Sequence, residues 1–177
     1  MFSRIVVATD LSEASDSVVG CLHGLKPLGP REIILTHALG LRHLEDLKYL
    51  LAPQAEKKLQ DQKKVLADQG FQVTVRIEPG VPALEINRVA REAKAGMIVI
   101  GSHGATLSRE ILLGSVVTEV LHQSRHPVFI AQLMIDDTIK DQTHCEILCT
   151  DFHRHVLFAT DFSDAAEGAF GYVEKIV

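Results

Sequence analysis

The sequence predicts an α/β fold in which a parallel, doubly wound sheet carries helices on both faces. Short apolar runs, many of them β-branched, alternate along the chain with longer segments of helical periodicity. The connections between successive runs are long enough to hold a helix, so we expect right-handed crossovers and parallel strands. Such a sheet binds its ligands beyond the carboxyl ends of its strands, at the point where the strand order reverses.

The first two strands are predicted at Arg4–Thr9 and Glu32–Ala38. Ser12 or Ser15 can cap the helix that follows the first strand. After the second strand, leucines near helical spacing predict a long helix over Leu41–Gln69, with Pro53 as a break or restart and Gly70 at its end. Lysines on this helix lie among Gln, Asp and Glu, which is typical of a solvated face (Lys57, Lys58, Lys63 and Lys64).

The second half of the sheet follows the same alternation. Phe71–Ile77 is the third predicted strand, and Pro82 opens a helix over Ala83–Lys94 that Gly96 stops. The remaining elements are a fourth strand at Met97–Ile100, a helix at Ser115–Gln123 and a fifth strand at Pro127–Ala131.

Composition limits the function classes. With 177 residues, 46% of them apolar, the chain can bury one good core with material left over. A net charge of −5 argues against nucleic acid as the main partner. No apolar stretch is long enough to span a bilayer and the N-terminus lacks a leader pattern, so we expect a cytoplasmic protein without membrane insertion.

The most informative motif is Gly101-Ser102-His103-Gly104, nine residues, then Gly114-Ser115. Glycines at the end of a strand let backbone N–H groups approach a ligand. A helix that begins at Gly114-Ser115 points its unpaired amides at the same place, and together these features predict a phosphate site. The spacing fits neither the P-loop nor the dinucleotide fingerprint.

An internal repeat predicts a second domain. The segment Ile5–Ala14, which contains Ala-Thr-Asp-x-Ser, recurs as Val156–Ala165, and Gly20 is matched by Gly171. We therefore expect a first domain over residues 1–132, a linker over 133–153, and the first strand and helix of a second repeat over 154–177. One strand and one helix bury too little surface to fold alone, so this tail must dock on its own domain, swap onto a neighbouring chain or remain loose.

With these two motifs, the chain resembles the ATP-binding branch of the universal stress protein family over residues 1 to about 132. The resemblance implies a five-stranded parallel sheet of order 3-2-1-4-5, often a homodimer through the fifth strand, and ATP (or ADP or AMP) as ligand, with Mg²⁺ or Mn²⁺ bridging the phosphates. The family's nucleotide site falls on Ala8, Thr9 and Asp10 for adenine and ribose, Ala38 for adenine, and two further groups for ribose and phosphates: Gly101, Ser102, His103, Gly104, Ala105 and Thr106, and Gly114, Ser115, Val116 and Val117. Many relatives carry a basic residue where this chain has Ala105, a role that Arg109 could partly take.

We assign no catalytic residue and no metal-ligating residue. No triad or carboxylate pair can be assembled around His103, so it is interpreted as a phosphate donor. His37 is interpreted as a partly buried structural histidine, and Asp161 is the copy of Asp10 but is expected to bind nothing. Zinc accepts the ligand types found in one segment near the repeat boundary: His144, Cys145, Cys149, His153 and His155. A linker between two repeats can also hold such residues by chance, and their spacing is not that of a typical zinc site.

Three functions remain open. One is an ATP-binding stress-response regulator with little or slow hydrolysis, since no group that activates an attacking nucleophile is visible. Another is a signalling or scaffolding member of the family whose nucleotide cleft is empty or degenerate. The third is an ATP-cleaving enzyme, such as a nucleotide hydrolase or adenylyl-transferase, which shares the architecture but for which the sequence shows no catalytic group.

Overall fold

A computed structural model describes residues 1–40, 45–102, 113–135, 143–145 and 156–176. The strands of the main sheet are β1 (Arg4–Ala8), β2 (Glu32–Ala38), β3 (Gln72–Glu78), β4 (Met97–Gly101) and β5 (Val128–Ala131). The helices around it are α1 (Glu13–Cys21), α2 (Glu45–Asp68), α3 (Pro82–Glu92) and α4 (Ser115–Gln123), and a 3₁₀ segment over Leu22–Leu28 follows α1.

The main sheet is parallel throughout and has the order β3-β2-β1-β4-β5. This confirms the predicted fold class and the strand order that the family resemblance implied. The central strand β1 is buried from Ile5 to Ala8 because helices cover both of its faces. Its continuous run of apolar residues, without alternation, has the same cause.

Two apolar cores lie on opposite faces of the sheet. On one face α1 and α2 bury Val18, Val19 and Leu59 against β1 and β2, and on the other α3 and α4 bury Val89 and Val120. The chain therefore leaves β1 toward one face, through α1, and leaves β4 toward the other, through α4. The crevice of a doubly wound sheet forms between two such strands.

A charged network holds α3 against the edge strand β3. The buried carboxylate of Glu78 contacts Arg76 at 2.6 Å and Arg88 at 2.5 Å, and Arg88 also contacts Glu85 and Glu92 at 2.6 and 2.7 Å. The hydrogen bonds that Arg88 donates to Glu92, Glu85 and Glu78 raise the pKa of its guanidinium, and those that Arg88 and Arg76 donate to Glu92 lower the pKa of the Glu92 carboxyl. The network ties α3, from Glu85 to its last residue Glu92, to the edge strand β3.

Three expectations from the sequence differ from the structure. Pro53 does not break α2, which continues through it from Glu45 to Asp68. Within the 133–153 segment, where no strand was predicted, β6 (Leu133–Ile135) and β7 (Thr143–Cys145) pair as an antiparallel two-stranded sheet. In the tail the helix α5 (Asp164–Val173) is present, but the described residues from 156 to 163 form no strand.

Candidate functional site

The crevice between β1 and β4 is the candidate site. Ile5, Val6 and Val7 pair with Met97, Ile98 and Val99, so both strands end at the same edge of the sheet. The chain continues into Thr9 and Asp10 on one side and into Ser102 on the other, and these are positions that the sequence predicted.

The turn after β1 is organised around the Asp10 carboxylate. Its Oδ1 accepts hydrogen bonds from the Ser12 amide (3.1 Å), the Ser12 hydroxyl (2.5 Å) and the Ser15 hydroxyl (2.5 Å). Ser12 is the N-cap of α1 and accepts from the Ser15 amide, as one of the two alternatives predicted. Leu11 adopts a left-handed backbone with φ of 63°, and its amide donates to the Thr9 hydroxyl at 3.0 Å. The turn thus holds one carboxylate at the mouth of the crevice.

The same turn is built a second time in the tail. Phe162 has φ of 61°, and its amide donates to the Thr160 hydroxyl at 3.0 Å. The Ser163 amide donates to Asp161 at 3.0 Å, and the Ser163 hydroxyl caps α5 by accepting from the Ala166 amide at 3.2 Å. The bonds from Ser163 lower the pKa of the Asp161 carboxyl.

The surroundings of the two turns differ completely. Leu11 is 8% exposed and Val6 is fully buried, whereas their copies Phe162 and Leu157 are 92% and 97% exposed. No residue of α5 is buried. The turn and the helix start of the first copy therefore recur in the tail without a strand and without the sheet that surrounds that copy.

Helix α2 reaches into the first turn through a lysine. Lys58 Nζ donates to the Leu11 carbonyl at 2.9 Å. This contact lies one residue from Asp10, so Lys58 does more than occupy the solvated face that the sequence suggested. A lysine that crosses to a backbone carbonyl leaves no signal in helical periodicity, because its position on the helix is the same in both cases.

The end of β2 lies on the other side of the β1 terminus. The Thr9 amide donates to the Thr36 carbonyl at 3.0 Å, and His37 Nδ1 lies 2.9 Å from the Thr9 carbonyl. Because a carbonyl only accepts, the Nδ1 atom carries the hydrogen. His37 and Ala38 are both half-buried, which agrees with the interpretation of His37 as structural. Ala38 lies one strand from Ala8, where the sequence placed an adenine contact.

The residues at the end of β4 and at the start of α4 are joined by backbone hydrogen bonds. Gly101 pairs with Ala131 of β5, and Ser102 is fully buried with its amide bonded to the Ala131 carbonyl at 2.8 Å. The Gly114 amide donates to the Ser102 carbonyl at 2.8 Å, which places Ser102 beside the start of α4. The candidates His103, Gly104, Ala105, Thr106 and Arg109 lie outside the described residues.

The N-terminus of α4 differs from that of α1 in the groups around its first turn. Gly114 is the N-cap and has no side chain to accept from the first-turn amides, and the first turn contains no acidic residue. In α1, by contrast, Ser12 caps the helix and Glu13 and Asp16 lie in the first turn. A helix start with neither an N-cap side chain nor a first-turn carboxylate, as at Ser115, Val116 and Val117, is the kind that favours an anion. Gly114 has an extended backbone with φ of −64°, so it is the missing side chain, not an unusual conformation, that matters here.

The described residues were also compared with what a metal site and a membrane-spanning helix require. In the described part of the chain no group of three or more His, Cys, Asp and Glu side chains could hold a metal ion. Of the possible zinc ligands, His144 and Cys145 lie in β7, while Cys149, His153 and His155 fall outside the described ranges. None of the helices described is both long and apolar enough to cross a membrane.

The reversal of strand order at β1 and β4, with a helix start beside it whose N-cap is a glycine, defines a doubly wound α/β protein. The chain belongs to the universal stress protein family, whose sequence profile matches residues 1–132.

Several family members are similar in sequence. Universal stress protein MJ0577 of Methanocaldococcus jannaschii is 31% identical over 155 residues, which cover 75% of this chain and 96% of that protein. Universal stress protein YxiE of Bacillus subtilis is 28% identical over 148 residues, which cover 75% of this chain and all of that protein.

Solved structures share the fold. That of MJ0577 aligns with a TM-score of 0.70 at 34% identity and covers 77% of this chain and 99% of its own. A universal stress protein from Archaeoglobus fulgidus DSM 4304 aligns with a TM-score of 0.77 at 29% identity, over all of this chain and 63% of its own. Two further universal stress proteins, solved in complex with cAMP and with dAMP, are each 24% identical and share the fold, with TM-scores of 0.58 and 0.56.

Proposed function

We propose that this chain is an adenine-nucleotide-binding regulatory protein that holds ATP, ADP or AMP in the crevice between β1 and β4. The observation that carries the proposal is the start of α4, where Gly114 leaves the first-turn amides without a side-chain acceptor at the edge of the sheet. Family membership supports the choice of ligand, since universal stress proteins have been solved with cAMP and dAMP bound.

Each group of residues has a distinct role in the proposed site. Ala8, Thr9 and Asp10 line adenine and ribose, and the Ala38 backbone contacts adenine. Gly101 and Ser102 begin the loop that continues through His103, Gly104, Ala105 and Thr106 around ribose and phosphates. The α4 amides at Ser115, Val116 and Val117, behind Gly114, hold the outer phosphates, where Mg²⁺ or Mn²⁺ would neutralise phosphate charge.

The proposed site binds nucleotide without rapid turnover. Asp10 is the one carboxylate placed at the mouth of the crevice among the residues described, and its Oδ1 is already committed to Ser12 and Ser15. A carboxylate held in this way suits a ribose hydroxyl better than the activation of water. We therefore expect slow hydrolysis. We also propose that the protein is a cytoplasmic regulator and acts through a homodimer formed by β5 or by the tail.

The tail is proposed to be the start of a second universal stress repeat, of which the described residues contain the turn and the helix α5 but no strand. Its turn repeats the backbone bonds of the first turn and its N-cap, but Leu157 and Phe162 lack the cover that Val6 and Leu11 have. In the described structure it contacts the first domain through Tyr172, whose ring stacks on Phe2 at 6.5 Å between centroids.

The test of nucleotide binding uses the purified chain. We expect acid denaturation to release an adenine nucleotide that chromatography identifies, and Mg-ATP to raise the melting temperature of the stripped protein. Saturation at about 100 times Kd corresponds to roughly 2.7 kcal/mol of stabilisation. Mg-GTP is the matched control. If no nucleotide is released and Mg-ATP gives no shift, the alternative holds, a scaffolding member of the family with an empty cleft.

A further inference from the structure

The β1–β2 ladder ends in an unusual way beside the proposed adenine position. The register of these strands stops at Ala8 with Thr36, and the last ladder bond runs from the Thr9 amide to the Thr36 carbonyl. On its other side β2 stays paired with β3 as far as Ala38 with Glu78. At its carboxyl end β2 therefore pairs with β3 for two residues beyond the point at which its pairing with β1 stops.

The next bond of a continued parallel ladder would join the Ala38 amide to the Thr9 carbonyl. The Leu39 amide bonds to the Glu78 carbonyl of β3, so the backbone of Ala38, one residue earlier, is directed toward β1. The Thr9 carbonyl does not receive that amide. It accepts instead from His37 Nδ1, at 2.9 Å.

We propose that His37 is a positioning residue of the nucleotide site, because its imidazole takes the place of the Ala38 amide on the Thr9 carbonyl and leaves that amide to donate to the base. The inference rests on the proposed function. A backbone donor at this point suits adenine, whose N1 is an acceptor, and opposes guanine, whose N1 carries a hydrogen. His37 therefore sets base preference without touching the base.

The substitutions His37→Leu and His37→Asn separate this role from simple packing. Leucine removes the donor, so the Thr9 carbonyl takes the Ala38 amide and the ladder lengthens by one bond. Asparagine carries an amide nitrogen near the position of Nδ1 and keeps the donor. His122→Leu, on the exposed side of α4, is the matched control for the loss of an imidazole.

The experiment measures ATP and GTP affinity by calorimetry, and the hydrogen exchange of the Ala38 amide by NMR in the nucleotide-free protein. For His37→Leu we expect Ala38 exchange to slow at least about tenfold. We also expect ATP affinity to fall about 3- to 10-fold, as for one net hydrogen bond, with GTP affinity unchanged. His37→Asn and His122→Leu should stay within about twofold of wild type for ATP.

The outcomes separate the two claims. Unchanged Ala38 exchange in His37→Leu would overturn the positioning role, whatever the wild type binds. If the wild type binds no ATP, the proposed function fails and so does the base-preference part, while slowed Ala38 exchange would still support the exchange of donors on the Thr9 carbonyl. A loss of ATP affinity that asparagine does not restore would also contradict the proposal.

Discussion

Replacing Asp10 by alanine should lower the stability of the protein much more than replacing its copy Asp161, although the two residues occupy equivalent positions in two turns of the same type. Asp10 Oδ1 accepts three hydrogen bonds from Ser12 and Ser15 at the start of α1, a helix that buries Val18 and Val19. Asp161 accepts from Ser163 at the start of α5, a helix with no buried residue. Only the first turn is tied to a core.

The expected cost follows from these contacts. Three net hydrogen bonds to an exposed carboxylate, each near the lower end of the usual range, amount to about 2 kcal/mol for Asp10→Ala. This corresponds to a fall in melting temperature of roughly 4–8 °C. For Asp161→Ala we expect no measurable loss of stability, because the carboxylate is exposed and α5 buries no residue. Nucleotide affinity should fall at least about tenfold in the first variant and stay unchanged in the second.

Urea denaturation followed by circular dichroism gives the free energies of unfolding, and calorimetric titration with Mg-ATP gives the affinities. Equal losses of stability in the two variants would refute the reasoning, because the tail would then be as tightly integrated as α1. An Asp10→Ala protein with wild-type affinity for ATP would remove Asp10 from the site.

Three further predictions concern other parts of the molecule. Gly80 has φ of 145°, and a Cβ there would lie 2.7 Å from Glu85 Oε1. We expect Gly80→Ala to lower the free energy of unfolding, measured by urea denaturation, by about 2–3 kcal/mol. An unchanged free energy of unfolding would contradict this. Burial, with a smaller contribution from Arg91, lowers the pKa of His126 below its ordinary value of 6.5. The contribution of the neutral imidazole to stability is therefore complete above pH 6.5 and is lost as the pH falls below 6.5. We expect His126→Gln to flatten the pH dependence of the melting temperature below pH 6.5, and a profile identical to that of the wild type would refute this. Limited proteolysis of the exposed tail, followed by light scattering, should reduce the oligomer size if the tail joins two chains, and an unchanged size would exclude docking across chains.

The sheet was predictable from the sequence because its central strands, β1 and β4, are buried on both faces. Val6, Val7, Ile98 and Val99 lie in continuous apolar runs, and the helices between them leave a parallel sheet as the arrangement that buries them. The family motif added the strand order. The short strands β6 and β7 were missed because three residues are too few to show a period.

The prediction of a break at Pro53 was wrong, because α2 continues through this proline. A proline in a helix removes one backbone hydrogen bond, but the buried side of α2 continues beyond it at Ala55, Leu59 and Leu66. Packing of that face against the sheet outweighs the local preference.

Individual positions were predicted better than their contacts. The sequence placed Asp10, Ala38, Ser102 and Gly114 at one edge of the sheet, and the structure brings their backbones there. It could not show that Lys58 would bond the Leu11 carbonyl, because such a bond joins elements 47 residues apart and depends on how α2 packs on α1.

The central claim is most directly tested by calorimetric titration of the nucleotide-stripped chain with Mg-ATP. The account predicts one ATP per chain, with the same stoichiometry in Asp161→Ala and clearly weaker binding in Asp10→Ala. Absence of binding heat together with an unchanged melting temperature would contradict it, as would a second site that Asp161→Ala removes.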